Sequence, residues 1–259
     1  MKFNKSLLIT KLKATAVHLS LSVIVFAILA YLIYYVWYPQ PYFQSDGGWQ
    51  GLRIIAAVDL VLGPLITFLI FDLRKSRREI VLDLTIILVI QLGSLVYGIH
   101  AAYTQRPIAI VMYNNEYVFS TTMEQYVGTL ESPDQLRQYS DETPPIIYSF
   151  IPLDKEVIAE VNRRRFEDNV VEHAQIQLYR PKAEMVVALR ERQSSLLGRL
   201  QRTGSEAAFD EWLELNGKTR DEVLLERFLG RYKIVWLVFD ADGKYLDYFP
   251  EAEELATEE

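Results

Sequence analysis

Few residues in this chain have the types and spacing that chemistry needs. It contains no Cys, which removes disulfides, thiolate nucleophiles, iron–sulfur clusters and Cys-type zinc sites. Its three histidines, His18, His100 and His173, have no second ligand at metal spacing. No Gly-x-Ser-x-Gly or zincin motif accompanies them, so they read as interfacial or surface residues. Asp240, Asp242 and Asp247 suggest a calcium loop, but Gly243 falls at the fourth position instead of the sixth, which favours a hairpin turn. Gly217-Lys218-Thr219 looks like the end of a phosphate loop, yet Trp212 stands where its first glycine belongs and the segment follows a helical pattern. Arg163-Arg164-Arg165 reads as the solvated face of a helix. The expectation is a protein without catalytic residues, bound metal or cofactor.

Polar residues inside apolar runs are more informative. Asp59 lies about eight residues into such a run, where an ionised carboxylate costs roughly 2.5–3.5 kcal/mol on insertion scales and must face protein or water or be protonated. Counting about 1.5 Å per residue puts Tyr97 near the same depth, a candidate internal hydrogen-bond donor to Asp59. The rival reading is that Asp59, Thr67 and Gln91 line a groove for another protein's transmembrane helix, since such association relies on packing and interhelical hydrogen bonds. Gly63-Pro64 fits that groove: proline removes an amide hydrogen and kinks the helix, and glycine permits close approach of a second backbone. Asp83 sits where a helix N-terminal carboxylate would.

Three runs must position these residues: 17–38, 52–71 and 84–103, each about 20 residues, with Arg53 at the edge of the second and Asp59 the single charge farther inside. The first is too long for a signal-peptide core, lacks a small-x-small cleavage site and ends in Tyr34, Tyr35, Trp37 and Tyr38, an interfacial aromatic belt. Lys2, Lys5, Lys11 and Lys13 precede it, the 39–51 loop has no Lys or Arg, and Arg74-Lys75-Ser76-Arg77-Arg78 follows the second run. The positive-inside rule therefore puts the 1–16 tail in the cytoplasm and everything after Tyr103 outside, which in a bacterium is the periplasm. Charge divides at the same place: 9 Lys/Arg against 5 Asp/Glu through Tyr103, and 18 against 29 beyond it. A chain of net charge −7 without a broad basic surface is no nucleic-acid binder.

Residues 104–250 read as a folded α+β domain, long enough to bury its own core. Pro107–Tyr113 and Glu116–Ser120 flank Asn114-Asn115, a tight hairpin turn. Lys233–Phe239 and Tyr245–Phe249 flank Asp240-Ala241-Asp242-Gly243, a second one. Pro145–Ile151 adds a fifth strand after a polar loop. Helices are expected from Asp154 to about Asn169, over Ala183–Arg202 and over Ser205–Leu215. A further one is expected over Val223–Leu229, where Thr219 and Glu222 form a capping box and Gly230 a stop. The sheet should unite both antiparallel hairpins. Residues 170–180 stay unassigned, and 251–259 read as a solvated acidic tail.

The first hundred or so residues resemble the TfpX/TfpZ family of type IV pilin accessory proteins. The likeness rests on Trp37-Tyr38-Pro39-x-Pro41-Tyr42-Phe43, on Val58-Asp59-Leu60-Val61-Leu62-Gly63-Pro64-Leu65 with Thr67 and Phe71, and on Lys75, Asp83, Gln91, Tyr97-Gly98 and Arg106-Pro107. It implies a non-catalytic inner-membrane protein that supports the stability of the major pilin or its entry into the pilus. The pilin's transmembrane helix, its head domain, membrane lipid and the pilus assembly platform are the partners expected. A periplasmic sensor also pairs spans with an α+β domain, but this chain shows no cytoplasmic output domain. A lipid-linked glycosyltransferase, with Asp46 in the outside loop, would carry more spans and paired external acids.

Overall fold

The computed structural model describes residues 5–126 and 128–252. They form two compact units: one runs to Pro39 and from Gly48 to Thr104, the other comprises Gln40–Gly47 and the described chain from Gln105 onward.

In the helical unit, α1 (Lys5–Tyr31) continues as a π-helical segment, Leu32–Trp37; the short α2 (Tyr42–Ser45) belongs to the other unit. The second long helix joins α3 (Gly48–Ala56), a π segment (Ala57–Leu62) and α4 (Gly63–Ile70), and α5 covers Arg77–Thr104. All three are long and apolar enough to cross a membrane. Each begins before its apolar run, because apolarity marks the part suited to hydrocarbon while Lys, Arg and Glu continue a helix readily. Pro64 sits in the first turn of α4, where no amide hydrogen is required, and the preceding π turn absorbs the break it causes. The second helix needs its last carbonyls satisfied. Lys11 Nζ donates to Leu69 O at 2.9 Å and Lys75 Nζ to Ile70 O at 3.3 Å. Lys75 also binds Asp83 at 2.6 Å, so that carboxylate has a side-chain partner.

Helices α1 and α5 both pack on the second helix. They also meet at one end, where Trp37 and Tyr103 lie edge to face at 5.7 Å and Tyr38 donates to Ala102 O at 3.1 Å.

The other unit is built on one seven-stranded sheet. Its strands are β1 (Pro107–Tyr113), β2 (Tyr117–Thr122), β3 (Ile146–Ser149), β4 (Tyr179–Arg180), β5 (Val223–Leu229), β6 (Ile234–Asp240) and β7 (Tyr245–Pro250), in the order β4-β3-β1-β2-β5-β6-β7. Both expected hairpins form, with Asn114 and Asn115 at positive φ in the first. The sheet that unites them is mixed, however, since β1 pairs with β3 and β2 with β5 in parallel. Helices α6 (Lys155–Phe166), α7 (Lys182–Arg202) and α8 (Glu206–Asn216) match expectation, and Asp154 caps α6 by accepting from the amides of Glu156 and Val157. Leu196, Leu200, Phe209 and Trp212 of α7 and α8 close one core over β5–β7, chiefly against Leu225, Trp236, Val238 and Phe249.

Two further expectations are corrected here, and the unassigned stretch is resolved. Val223–Leu229 is a strand: the Thr219–Glu222 box closes a single 3-10 turn, with the Thr219 amide donating to Glu222 at 2.8 Å, and the chain then extends. A mostly apolar run of seven residues is too short to choose helix by itself, and full pairing with β6 decides it. Residues 170–180 form two 3-10 turns and edge strand β4. Of the expected acidic tail, Glu251 is no solvated charge, since it holds Arg227 at 2.7 Å; residues 253–259 lie outside the described residues.

The joint between β2 and β5 rests on one residue pair, Phe119 with Leu229. Farther along β5, Gln193 of α7 replaces a strand, accepting from Leu225 N and donating to Leu225 O, both at 2.9 Å. Beside it the buried Glu226 pairs with Arg192 at 2.6 Å and accepts from the Arg227 amide at 2.9 Å. Burial pushes the Glu226 carboxyl up to about 7 against the opposing pull of Arg192 and that amide.

Candidate functional site

The helical unit contains a cleft of about 650 Å³, lined by all three long helices. Its lips are apolar: Val17, Leu21 and Val25 on α1, and Leu84, Leu88 and Leu92 on α5. Its polar lining consists of His18, Ser22, Asp59, Thr67 and Gln91, with Thr10 and Lys13 toward one end. Three of the residues singled out in sequence, Asp59, Thr67 and Gln91, are thus brought together.

The polar groups are used unequally. Thr67 is buried and bonded to His18, with Oγ1 2.5 Å from Nδ1. His18 is the residue that sequence reading missed. It stands at the start of the first apolar run and Thr67 near the end of the second, so the depth count applied to Tyr97 would have matched them. Gly63 leaves a notch, but a side chain of this unit takes it: a Cβ there would clash with Gln91 Nε2 and lie 3.2 Å from His18 Nε2. The close approach expected of a partner backbone is made instead by Gln91, while Pro64 is buried beside it. Tyr97 is 75% exposed and lies outside the cleft, so it is no partner for Asp59.

Asp59 is only 6% exposed, yet its carboxylate accepts no hydrogen bond from any described residue. It stands eleven residues from each end of the 23-residue second helix. At 1.5 Å per residue that is about 16 Å from either end.

The aromatic loop motif is split between the units. Trp37, Tyr38 and Pro39 close the first stretch of the helical unit, whereas Pro41, Tyr42 and Phe43 open a segment folded into the sheet domain. Tyr42 is fully buried, its ring edge-on to Phe228 at 6.4 Å. Gln40 accepts from the Tyr248 hydroxyl at 2.6 Å, and Ser45 O accepts from the amides of Tyr232 (2.8 Å) and Lys233 (3.3 Å). Gly230, expected as a helix stop, serves this packing, because a Cβ there would meet Ser45 O at 2.6 Å. Asp46 accepts from Ser120 Oγ, from Ser45 Oγ at 2.6 Å and from the Arg231 amide at 3.3 Å. Burial raises its carboxyl above the usual range, and those three donors restrain the rise. Asp46 is therefore a structural anchor inside its own domain.

Among the described residues no group of three or more His, Asp or Glu is placed to hold a metal. Asp240 serves its turn, accepting from the amides of Asp242 and Lys244. The His173 ring lies tilted against Phe119, with ring centroids 5.2 Å apart.

Three helices long and apolar enough to cross a membrane, a largely apolar cleft holding a few polar groups, and a separate mixed-sheet domain fit a membrane protein with a folded domain after its helices. A family model described as "Fimbrial assembly protein FimB" matches residues 6–47. A fimbrial assembly protein of serogroups C1 and C2 from Dichelobacter nodosus is 37% identical over 108 residues, which is 42% of this chain and 82% of that protein. The serogroup I protein of the same organism is also 37% identical over 108 residues, covering 42% of each chain, and the serogroup E1 protein is 36% identical over the same length. The chain belongs to this fimbrial assembly protein family. It spans less than half the length of the serogroup I and E1 relatives. No solved structure matches it.

Proposed function

We propose that this protein is a non-catalytic accessory of type IV pilus assembly, of the TfpX/TfpZ kind, that holds the major pilin in the inner membrane before its entry into the pilus. Its N-terminus is cytoplasmic and its sheet domain periplasmic, as the clustering of Lys and Arg at one end of the spans indicates. The pilin's apolar helix lies in the cleft, and the pilin head is within the reach of a partner that presents both a membrane groove and an outside domain.

The observation that carries this reading is the cleft itself. Lipid-facing helices gain little from one another by hydrophobicity, so association depends on shape and on polar groups kept from lipid. Here apolar lips flank a lining in which Asp59 and Gln91 make no hydrogen bond to a described residue. Family membership supports an assembly role over catalysis.

A photoreactive residue at Leu88, an exposed lip position, tests this in host membranes. Capture of the major pilin through its transmembrane helix is expected. Abundant, inserted protein that captures no pilin from Leu88, Leu92 or Leu21 overturns the reading.

A further inference from the structure

The three buried carboxylates among the described residues divide in a way that bears on what the cleft accepts. Asp46 has three donors and Glu226 an arginine and an amide, whereas Asp59 has none. A buried acceptor left without a donor is costly, and more so when ionised. Resting on the proposal that the cleft holds a partner helix, we infer that this helix carries a hydrogen-bond donor at mid-span that docks on the Asp59 carboxylate, with Gln91 beside it as a second polar contact.

Position excludes the simpler occupant. An acyl chain fills apolar volume but brings no donor, and a lipid headgroup stays near the interface, about 16 Å from Asp59 along the helix. Gln91 is likewise central in its helix, 14 residues from Arg77 and 13 from Thr104. Both uncommitted groups therefore sit at the depth where donors come most readily from another protein segment. Thr67 is committed to His18 Nδ1, and His18, although an electrostatic neighbour of Asp59, donates no hydrogen bond to it. The donor chemistry is a hydroxyl, an amide N–H, a protonated carboxyl or a cationic nitrogen, each shared by side chains able to sit in a buried helix.

The test compares full-length protein in host membranes carrying the photoreactive residue at Leu92, with Asp59 intact, Asp59→Asn or Asp59→Leu. Asparagine keeps an acceptor of the same shape, and leucine removes it. Captured pilin should fall about three- to thirty-fold with Asp59→Leu, the range expected for one interhelical hydrogen bond, and stay within about twofold with Asp59→Asn. A fall as deep with Asn as with Leu also supports the contact and assigns the donor to a cation. Replacing the pilin helix's donor side chains one at a time, which leaves this chain untouched, should reproduce the loss at a single position. Capture that is unchanged by Asp59→Leu and by every donor replacement overturns the inference while leaving the cleft as a pilin site. No capture with Asp59 intact overturns the pilin-cleft reading beneath it.

Discussion

Asp59 in the helical unit and Asp46 and Glu226 in the sheet domain are all less than a tenth exposed, but their surroundings differ in kind. Asp46 is enclosed by two hydroxyls and an amide, and Glu226 by a guanidinium and an amide. These domain carboxylates are satisfied at home, so removing either leaves donors stranded. Asp59 faces a cleft with apolar lips and has no internal donor to strand. The difference teaches that burial alone does not separate a structural carboxylate from one available to a partner; the count of its donors does.

The largest effect lies in the segment that anchors Asp46. Truncating Tyr42 to Ala should cost about 3–5 kcal/mol, as for other buried aromatic residues, and a lowered midpoint in chemical denaturation of the detergent-solubilised protein would register it. Tyr97→Ala, at an exposed position, should leave that midpoint in place.

Glu226 carries a pH signature. Its carboxyl titrates near 7 in the folded domain against an ordinary 4.5. A raised folded value means that its contribution is fully present below about pH 4.5 and is lost as pH rises through 7, a change of about 3 kcal/mol. Stability curves of the wild type and Glu226→Gln should therefore shift relative to one another across that window, with the Gln variant gaining as pH rises. Parallel curves would show that this carboxylate does not sense the interior as described.

Asp46→Ala should cost about 2 kcal/mol by leaving buried donors unpaired. Asp59→Leu should cost nothing and raise the melting temperature of the solubilised protein slightly, since it removes an acceptor without a donor. Equal losses in the two variants would erase the contrast. The smallest effect concerns the Tyr42 hydroxyl, which is buried without a hydrogen-bond partner among the described residues. Tyr42→Phe should be neutral or stabilising by up to about 1 kcal/mol, measured against the same midpoint.

Much of this was legible in sequence because the signals were local. Runs of about 20 apolar residues give long apolar helices, Asn114-Asn115 and Asp240–Gly243 give turns, and Asp154 gives a cap. Asp59, Thr67 and Gln91 stand out because polar groups are rare in such runs. What escaped depends on distant partners. Val223–Leu229 becomes a strand only because β6 pairs along its whole length. Tyr42 and Phe43 read as part of an outside loop, since nothing local reveals that Phe228 and the Gly230 turn receive that segment. His18 looks like an ordinary interfacial histidine until Thr67 is seen opposite it.

The pilin in the cleft is tested most directly by disulfide pairing, for which the absence of Cys in this chain supplies a clean background. Single cysteines at Leu21 and Leu88, on opposite lips, would each be combined with a scan of single cysteines along the pilin's transmembrane helix. The expected result is pairing that recurs every three to four pilin residues, with the two lips favouring different faces of the same helix. Pairing absent at every position, or spread evenly without helical period, would contradict a pilin helix seated between the first and third spans.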